Sequence, residues 1–233
     1  MKTITLILLT CACFAADEPA KTEKPKPITE FPEEATEGEI PGWGARHNPK
    51  RTGKYEVDGT AMNLTVASDA DMNPESNFKG PSVLVEVEGD FVAEVTLAPL
   101  PTDHSSWVGG GLLILGPQKQ TARFNHVHNR SKREDDFNEV LDWACTDDGG
   151  KMRSVKLSAI KFDPAKQRIL RIERRGTKLH GALSADGVSW TELYPHNIHR
   201  WPAKLRVGPF GLNMSSSPKT LQFTAFKVTP KAK

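Results

Sequence analysis

From residue 62 onward the chain is a succession of short apolar runs broken by turn-forming residues, with no amphipathic helical stretch between them. Segments this short cannot bury a helical face, and their repetition is the signature of an antiparallel sandwich or barrel. Strands are predicted over Met62–Ala67, Val83–Glu88, Phe91–Ala98, Gly111–Leu115, Ala122–His128, Glu139–Cys145, Ile169–Arg174, Leu179–Ser184, Ser189–Leu193, Leu205–Asn213 and Leu221–Val228. Alternation is clearest where Leu170 and Ile172 interleave with Arg171 and Glu173, and where Leu221, Phe223 and Ala225 interleave with Gln222 and Thr224. One face of each such strand packs inward and the other meets water. Glu88-Gly89-Asp90, Asp147-Asp148-Gly149-Gly150 and Ala185-Asp186-Gly187 supply tight turns between antiparallel neighbours. The expectation is a single all-β sandwich over residues 42–230, with at most short helical turns.

The first residues read differently. Lys2 precedes the apolar run Ile4-Thr5-Leu6-Ile7-Leu8-Leu9, which ends in small residues at Ala15-Ala16, the pattern of a signal peptide over 1–16. That run falls short of the roughly 18 to 20 apolar residues that span a bilayer, and no later run reaches that length. Cys11 and Cys13 fit a lipoprotein cleavage box only in part, so a lipid anchor is the minor alternative to a secreted or periplasmic protein. Residues 17–41 are charged and interrupted by Pro19, Pro25, Pro27, Pro32 and Pro41, which predicts a disordered linker. Net charge is +2, and removing the leader with its single Lys2 lowers it to +1. A field that weak does not steer nucleic acid, so a monomer without nucleic-acid partner or membrane span is expected. Cys145 alone remains outside the leader and reads as a buried small hydrophobe.

Six stretches, taken in order, resemble one family. They are Val85–Val95, Gly109-Gly110-Gly111-Leu112-Leu113-Ile114, Leu170–Gly176, Ser184–Thr191, Val207–Asn213 and Phe223-Thr224-Ala225-Phe226. The set, from about Gly42 to Val228, resembles exported bacterial domains of the concanavalin A-like lectin/glucanase superfamily, in the group of the "regulation of enolase protein" domain. The resemblance implies a jelly-roll sandwich of two curved antiparallel sheets, whose concave face often holds carbohydrate in the wider superfamily. It also implies a calcium ion near the last strand. Many relatives carry aspartate where this chain has Thr224-Ala225, and hard cations need clustered oxygens, so this strand lacks the ligands. No other cofactor is expected, and a calcium elsewhere stays open. No strand is assigned to the Glu-x-Asp-x-(x)-Glu pattern of the glucanase branch.

Glycosidase chemistry needs two carboxyls about 5 to 10 Å apart. Glu86, Glu88 and Asp90 share a strand side only as far as the Gly89 turn, and alternation sends Glu139 and Asp142 to opposite faces, so no catalytic residue is assigned. His126 and His128 share a strand face, as metal ligands would, with His104, Glu139 or Asp142 as the missing third. Ser184-x-Asp186-Gly187-x-x-Trp190 resembles a single Asp-box, in which Asp186 caps a turn and Trp190 packs beneath it. Trp143 shares the period of Leu141 and Cys145 and reads as core.

The best ligand-binding set is Trp107 with His104, Arg123, Asn125 and Asp142. Sugars stack their C–H faces on exposed rings while planar polar side chains take their hydroxyls. If Ala122 and Phe124 point inward, Arg123 and Asn125 face outward under the loop from Asp103 to Trp107, and both Trp107→Ala and Arg123→Ala should weaken binding without unfolding. Three functions remain: a non-catalytic carbohydrate-binding module first, then a glycoside hydrolase or lyase with a dispersed site, such as the 3-keto-disaccharide type, and then a structural cell-surface interaction domain.

Overall fold

The computed structural model describes residues 27–32, 37–72, 80–103, 106–118, 120–130, 137–147, 150–155, 157, 160 and 162–231. Among these residues there are sixteen strands and no helix: β1 (Glu39–Ile40), β2 (Gly44–His47), β3 (Gly53–Asp58), β4 (Ala61–Val66), β5 (Ser82–Glu88), β6 (Phe91–Leu97), β7 (Val108–Leu115), β8 (Thr121–Arg130), β9 (Phe137–Thr146), β10 (Met152–Val155), β11 (Ile169–Arg175), β12 (Lys178–Ser184), β13 (Trp190–Glu192), β14 (His196–Asn197), β15 (Lys204–Asn213) and β16 (Lys219–Pro230). They form two antiparallel sheets. One runs β1-β2-β5-β15-β7-β8-β9-β10, and the other runs β13-β12-β11-β6-β16-β4-β3 with β14 added to β12.

The core lies between the sheets. Phe91, Val95, Leu170, Ile172 and Phe223 of the second sheet meet Ile114, Phe124, Trp143 and Val207 of the first. A smaller cluster of Met72, Leu84, Leu113, Leu115, Val127, Phe210 and Leu212 covers part of the first sheet's opposite face. Neighbouring residues of one strand, Val83 and Leu84 for example, therefore feed different clusters, as period-two alternation requires.

Each predicted strand is present, and the five unforeseen ones are peripheral. β1, β2 and β10 lie at the two ends of the first sheet, β3 ends the second, and β14 adds to β12. A peripheral strand needs little burial: β3 buries only Gly53 and Tyr55, so its apolar signal is faint. The domain also begins earlier than residue 42. Ile40 and Trp43 are core residues, Ser68 donates to the Ile28 carbonyl at 2.8 Å, and the Phe31 amide donates to Arg51 O at 2.6 Å. The C-terminal part of the predicted linker is thus laid on the sandwich where it is described, whereas residues 17–26 and 33–36, and the 1–16 leader, lie outside the described residues. No helix among the described residues is long and apolar enough to cross a membrane.

Two local expectations are corrected. Glu88-Gly89-Asp90 turns tightly, with Gly89 at φ 78°, but it joins β5 to β6 across the two sheets and does not close a hairpin. In β16 the register shifts between Phe223 and Ala225. This extra residue reverses the parity, so Phe226 and Val228 pack against the core while Ala225 is exposed.

Glu173 alternates outward from Leu170 and Ile172 yet is only 3% exposed, because Arg175 and Lys231 close over its carboxylate. The hydrogen bond from Arg175, reinforced by Lys231 and opposed by burial, holds its pKa at about 2 against an ordinary 4.5. A carboxyl whose folded pKa is depressed stabilises the fold above its unfolded pKa and loses that contribution as pH falls through the folded one. Between pH 4.5 and 2, then, the urea midpoint of the native protein should fall more steeply than that of Glu173→Gln. Superimposable profiles would show that the cap contributes nothing.

Candidate functional site

β8 sets the site. Ala122 and Phe124 enter the main core, so Arg123, Asn125 and Val127 are turned to the opposite face of the sheet. On that face they line a cavity of about 560 Å³ together with Trp107, Asp142, Asp71 and Met214, and with Val140, Leu141 and Leu212 as apolar wall. Asn125 stands directly across from Asp142 on β9 and from Gly111 on β7. A Cβ at Gly111 would lie 2.6 Å from Asn125 Cα and would also collide with Phe124 O, so only glycine lets β7 come this close beneath the floor.

The polar groups of the cavity differ sharply in how they are satisfied. Arg123 Nε donates to Asp142 Oδ2 at 2.8 Å, and Arg123 NH1 donates to the Met72 carbonyl at 2.6 Å. Both side chains of this ion pair are largely covered, at 12% and 25% exposure. Asp71 Oδ1 accepts from the Met72 amide at 2.6 Å. Asn125 is fully buried, and among the described residues neither its Oδ1 nor its Nδ2 has a hydrogen-bond partner. With Asp142 drawn diagonally to Arg123, no described residue answers the amide.

The rim carries apolar surface. Trp107 is 45% exposed and Met214 38%. Their backbones are joined by a hydrogen bond from Met214 N to Trp107 O at 2.7 Å. Asn213 fixes this corner by donating to Val66 O, Ala67 O and Ser217 O and accepting from Ser215. Lys219 Nζ anchors the other end of the Trp107 loop through Asp103.

Of the residues predicted for binding, Trp107, Arg123, Asn125 and Asp142 come together in this one cavity, and His104 lies outside the described residues. Arg123 lines the cavity at 12% exposure while donating to Asp142 and to the Met72 backbone, partners the sequence did not display. Asp71, Val140, Leu212 and Met214 were not foreseen. Val127 shares the parity of Asn125 and could have been named from alternation, but Asp71 belongs to a segment without periodic pattern.

His126 and His128 face the other way, with Phe124. His126 Nε2 bonds to Glu139 Oε2, its ring packs edge-on against Phe162 at 4.9 Å, and burial lowers its pKa in spite of Glu139. His128 Nδ1 donates to Pro101 O at 3.0 Å. Among the described residues there is no group of three or more His, Cys, Asp or Glu side chains that could hold a metal ion. At the Asp-box-like turn, Asp186 Oδ1 accepts from Val188 N and Ser189 N, and Trp190 stacks with Arg171 at 3.4 Å, which makes that motif a turn cap. A larger cavity of about 740 Å³ is lined by Arg46, His47, Asn48 and Arg51. Several of its polar groups are engaged, Arg51 with Glu30, Arg46 with Glu37 O, and Asn48 with Thr52 and Gly53, whereas the buried Ser68 Oγ has no hydrogen-bond partner among the described residues. Burial beside Arg206 holds the His47 pKa at about 4, so that ring is neutral near pH 7.

The contrast between Asn125 and Arg123 is measurable without any ligand. An unsatisfied buried amide costs about 1–3 kcal/mol, so Asn125→Leu should raise the unfolding free energy by about 1 kcal/mol. Arg123→Ala strands the partly buried Asp142 and should lower it by about 1.5–3 kcal/mol, whereas Trp107→Ala should stay within about 0.5 kcal/mol. A destabilised Asn125→Leu would mean that the amide is already satisfied.

No family model matches the chain, and no curated protein matches it. Solved structures do resemble it. A functionally unknown protein from Saccharomyces cerevisiae aligns over 82% of this chain and 98% of its own, at 15% identity and a TM-score of 0.62. A mutant of the GH43 protein BlXynB from Bacillus licheniformis aligns over 84% of this chain at 12% identity and a TM-score of 0.57, and this chain spans 38% of that protein. A Bacillus licheniformis β-glucanase aligns over 88% of this chain and 97% of its own, at 12% identity and a TM-score of 0.45. At these identities the likeness is one of fold: an all-β sandwich of two antiparallel sheets.

Proposed function

We propose that the chain is a secreted or periplasmic carbohydrate-binding module of the "regulation of enolase protein"-like group, and that it binds without catalysis through the Trp107–Asn125 groove. One observation carries the reading: an exposed indole lines the same cavity as a buried amide whose nitrogen and oxygen have no partner among the described residues. A sugar is the ligand that offers an apolar C–H face to the first and paired polar groups to the second. The fold likeness to a GH43 protein supports carbohydrate as the ligand class. Binding without turnover is favoured because Asp142 is held by Arg123 and Asp71 by the Met72 amide, which leaves no poised acid and base among the described residues of the groove.

A glycan array with titration calorimetry on the purified protein tests this. Saturable binding in the micromolar-to-millimolar range is expected. Trp107→Ala should weaken it about tenfold, the equivalent of about 1.4 kcal/mol of stacking, with the melting temperature unchanged. An array with no ligand would contradict the carbohydrate reading, and saccharide cleavage would replace the module with an enzyme.

A further inference from the structure

The groove floor presents a donor nitrogen and an acceptor oxygen side by side, both on Asn125 and both unpartnered among the described residues. Its walls are hydrocarbon: Val127 and Leu212 belong to the outer apolar cluster, and Val140 packs on it. A sugar carrying only hydroxyls would answer the amide while setting polar oxygens against that wall. The group that satisfies both surfaces combines an N–H, an adjacent hydroxyl oxygen and a methyl.

Resting on the carbohydrate reading above, we propose that the groove selects neutral amino sugars bearing an N-acetyl group. The acetamido N–H donates to Asn125 Oδ1, Asn125 Nδ2 donates to the neighbouring ring hydroxyl oxygen, and the acetyl methyl packs against Val127, Val140 and Leu212. Pairing of this kind discriminates strongly, because a ligand that leaves a buried donor or acceptor unmet forfeits the whole gain from it. The described residues of the cavity offer an anionic ligand no open cation, since the Arg123 guanidinium is engaged by Asp142 and by the Met72 carbonyl while Asp71 adds a carboxylate to the lining. Since Asn125 is sealed from bulk water, the ligand enters by displacing the rim. Met214, unbranched and 38% exposed, lines the same cavity.

Chitotetraose and cellotetraose share one backbone and differ in the acetamido group that replaces a hydroxyl. Calorimetric titration of the purified protein with each should show chitotetraose binding at least about tenfold more tightly. In Asn125→Leu that ratio should fall to about one while the variant remains folded, as its thermal unfolding will report. Asn125→Asp, which keeps the acceptor and loses the donor, should give an intermediate ratio. Equal affinities in the native protein, or a preference that survives in Asn125→Leu, would overturn the acetamido inference and leave the glycan reading standing. Binding of neither tetramer, while the array reveals other saccharide ligands, would also overturn it. An array with no ligand removes the carbohydrate reading itself.

Discussion

Phe124 and Trp143 stand opposite one another on β8 and β9, both fully buried, with their rings edge to face and 5.7 Å between centroids. Trp143 is further fixed by a hydrogen bond from Nε1 to Tyr194 O at 2.9 Å and by the His196 ring at 4.7 Å. Because side chains alternate along a strand, holding these two rings inward holds Arg123, Asn125 and Asp142 outward. A one-residue slip of either strand would expose an aromatic ring worth roughly 1.5–3 kcal/mol of burial and carry the groove's polar groups into the core. The cavity face is therefore specified from behind, by the packing it never touches.

The rim follows the same logic of exposed function on anchored backbone. Trp107 presents its ring to solvent, but its carbonyl is held by Met214, and the Asn213 side chain and the buried Lys219 tie both flanking segments to the second sheet's strands and to the Asp103 loop. Indole surface held this way loses little freedom when a ligand stacks on it. Beneath it, glycines at 109 and 111 let β7 lie against β8 with no side chain filling the space, so the cavity floor is formed by Asn125 and Val127.

How much of this was legible depends on burial. Central strands such as Phe91–Leu97 and Ile169–Arg175 carry strong alternation because one face must enter the core, and they were readable. β3 and β10 are polar edge strands held mainly by backbone pairing, which leaves almost no trace in residue type. The outward parity of Arg123 and Asn125 was readable from Ala122 and Phe124, but the partners of Arg123 were not. Asp142 is its diagonal neighbour across a register that sequence does not display, and the Met72 carbonyl arrives from a segment without pattern. The reversal at Thr224 was equally hidden, since a bulge changes parity without any distinctive residue.

Asn125 embodies a conflict between stability and recognition. A leucine would pack better against Val127 and Leu212, yet the chain holds an amide there with both polar atoms unmet. Such a group is tolerable if a ligand completes it. The direct test is to follow the Asn125 side-chain amide resonances by nitrogen–proton NMR during titration with a bound saccharide. The account predicts that they shift saturably, in step with the Trp107 indole signal. Saccharide binding that leaves the Asn125 amide unmoved would contradict it.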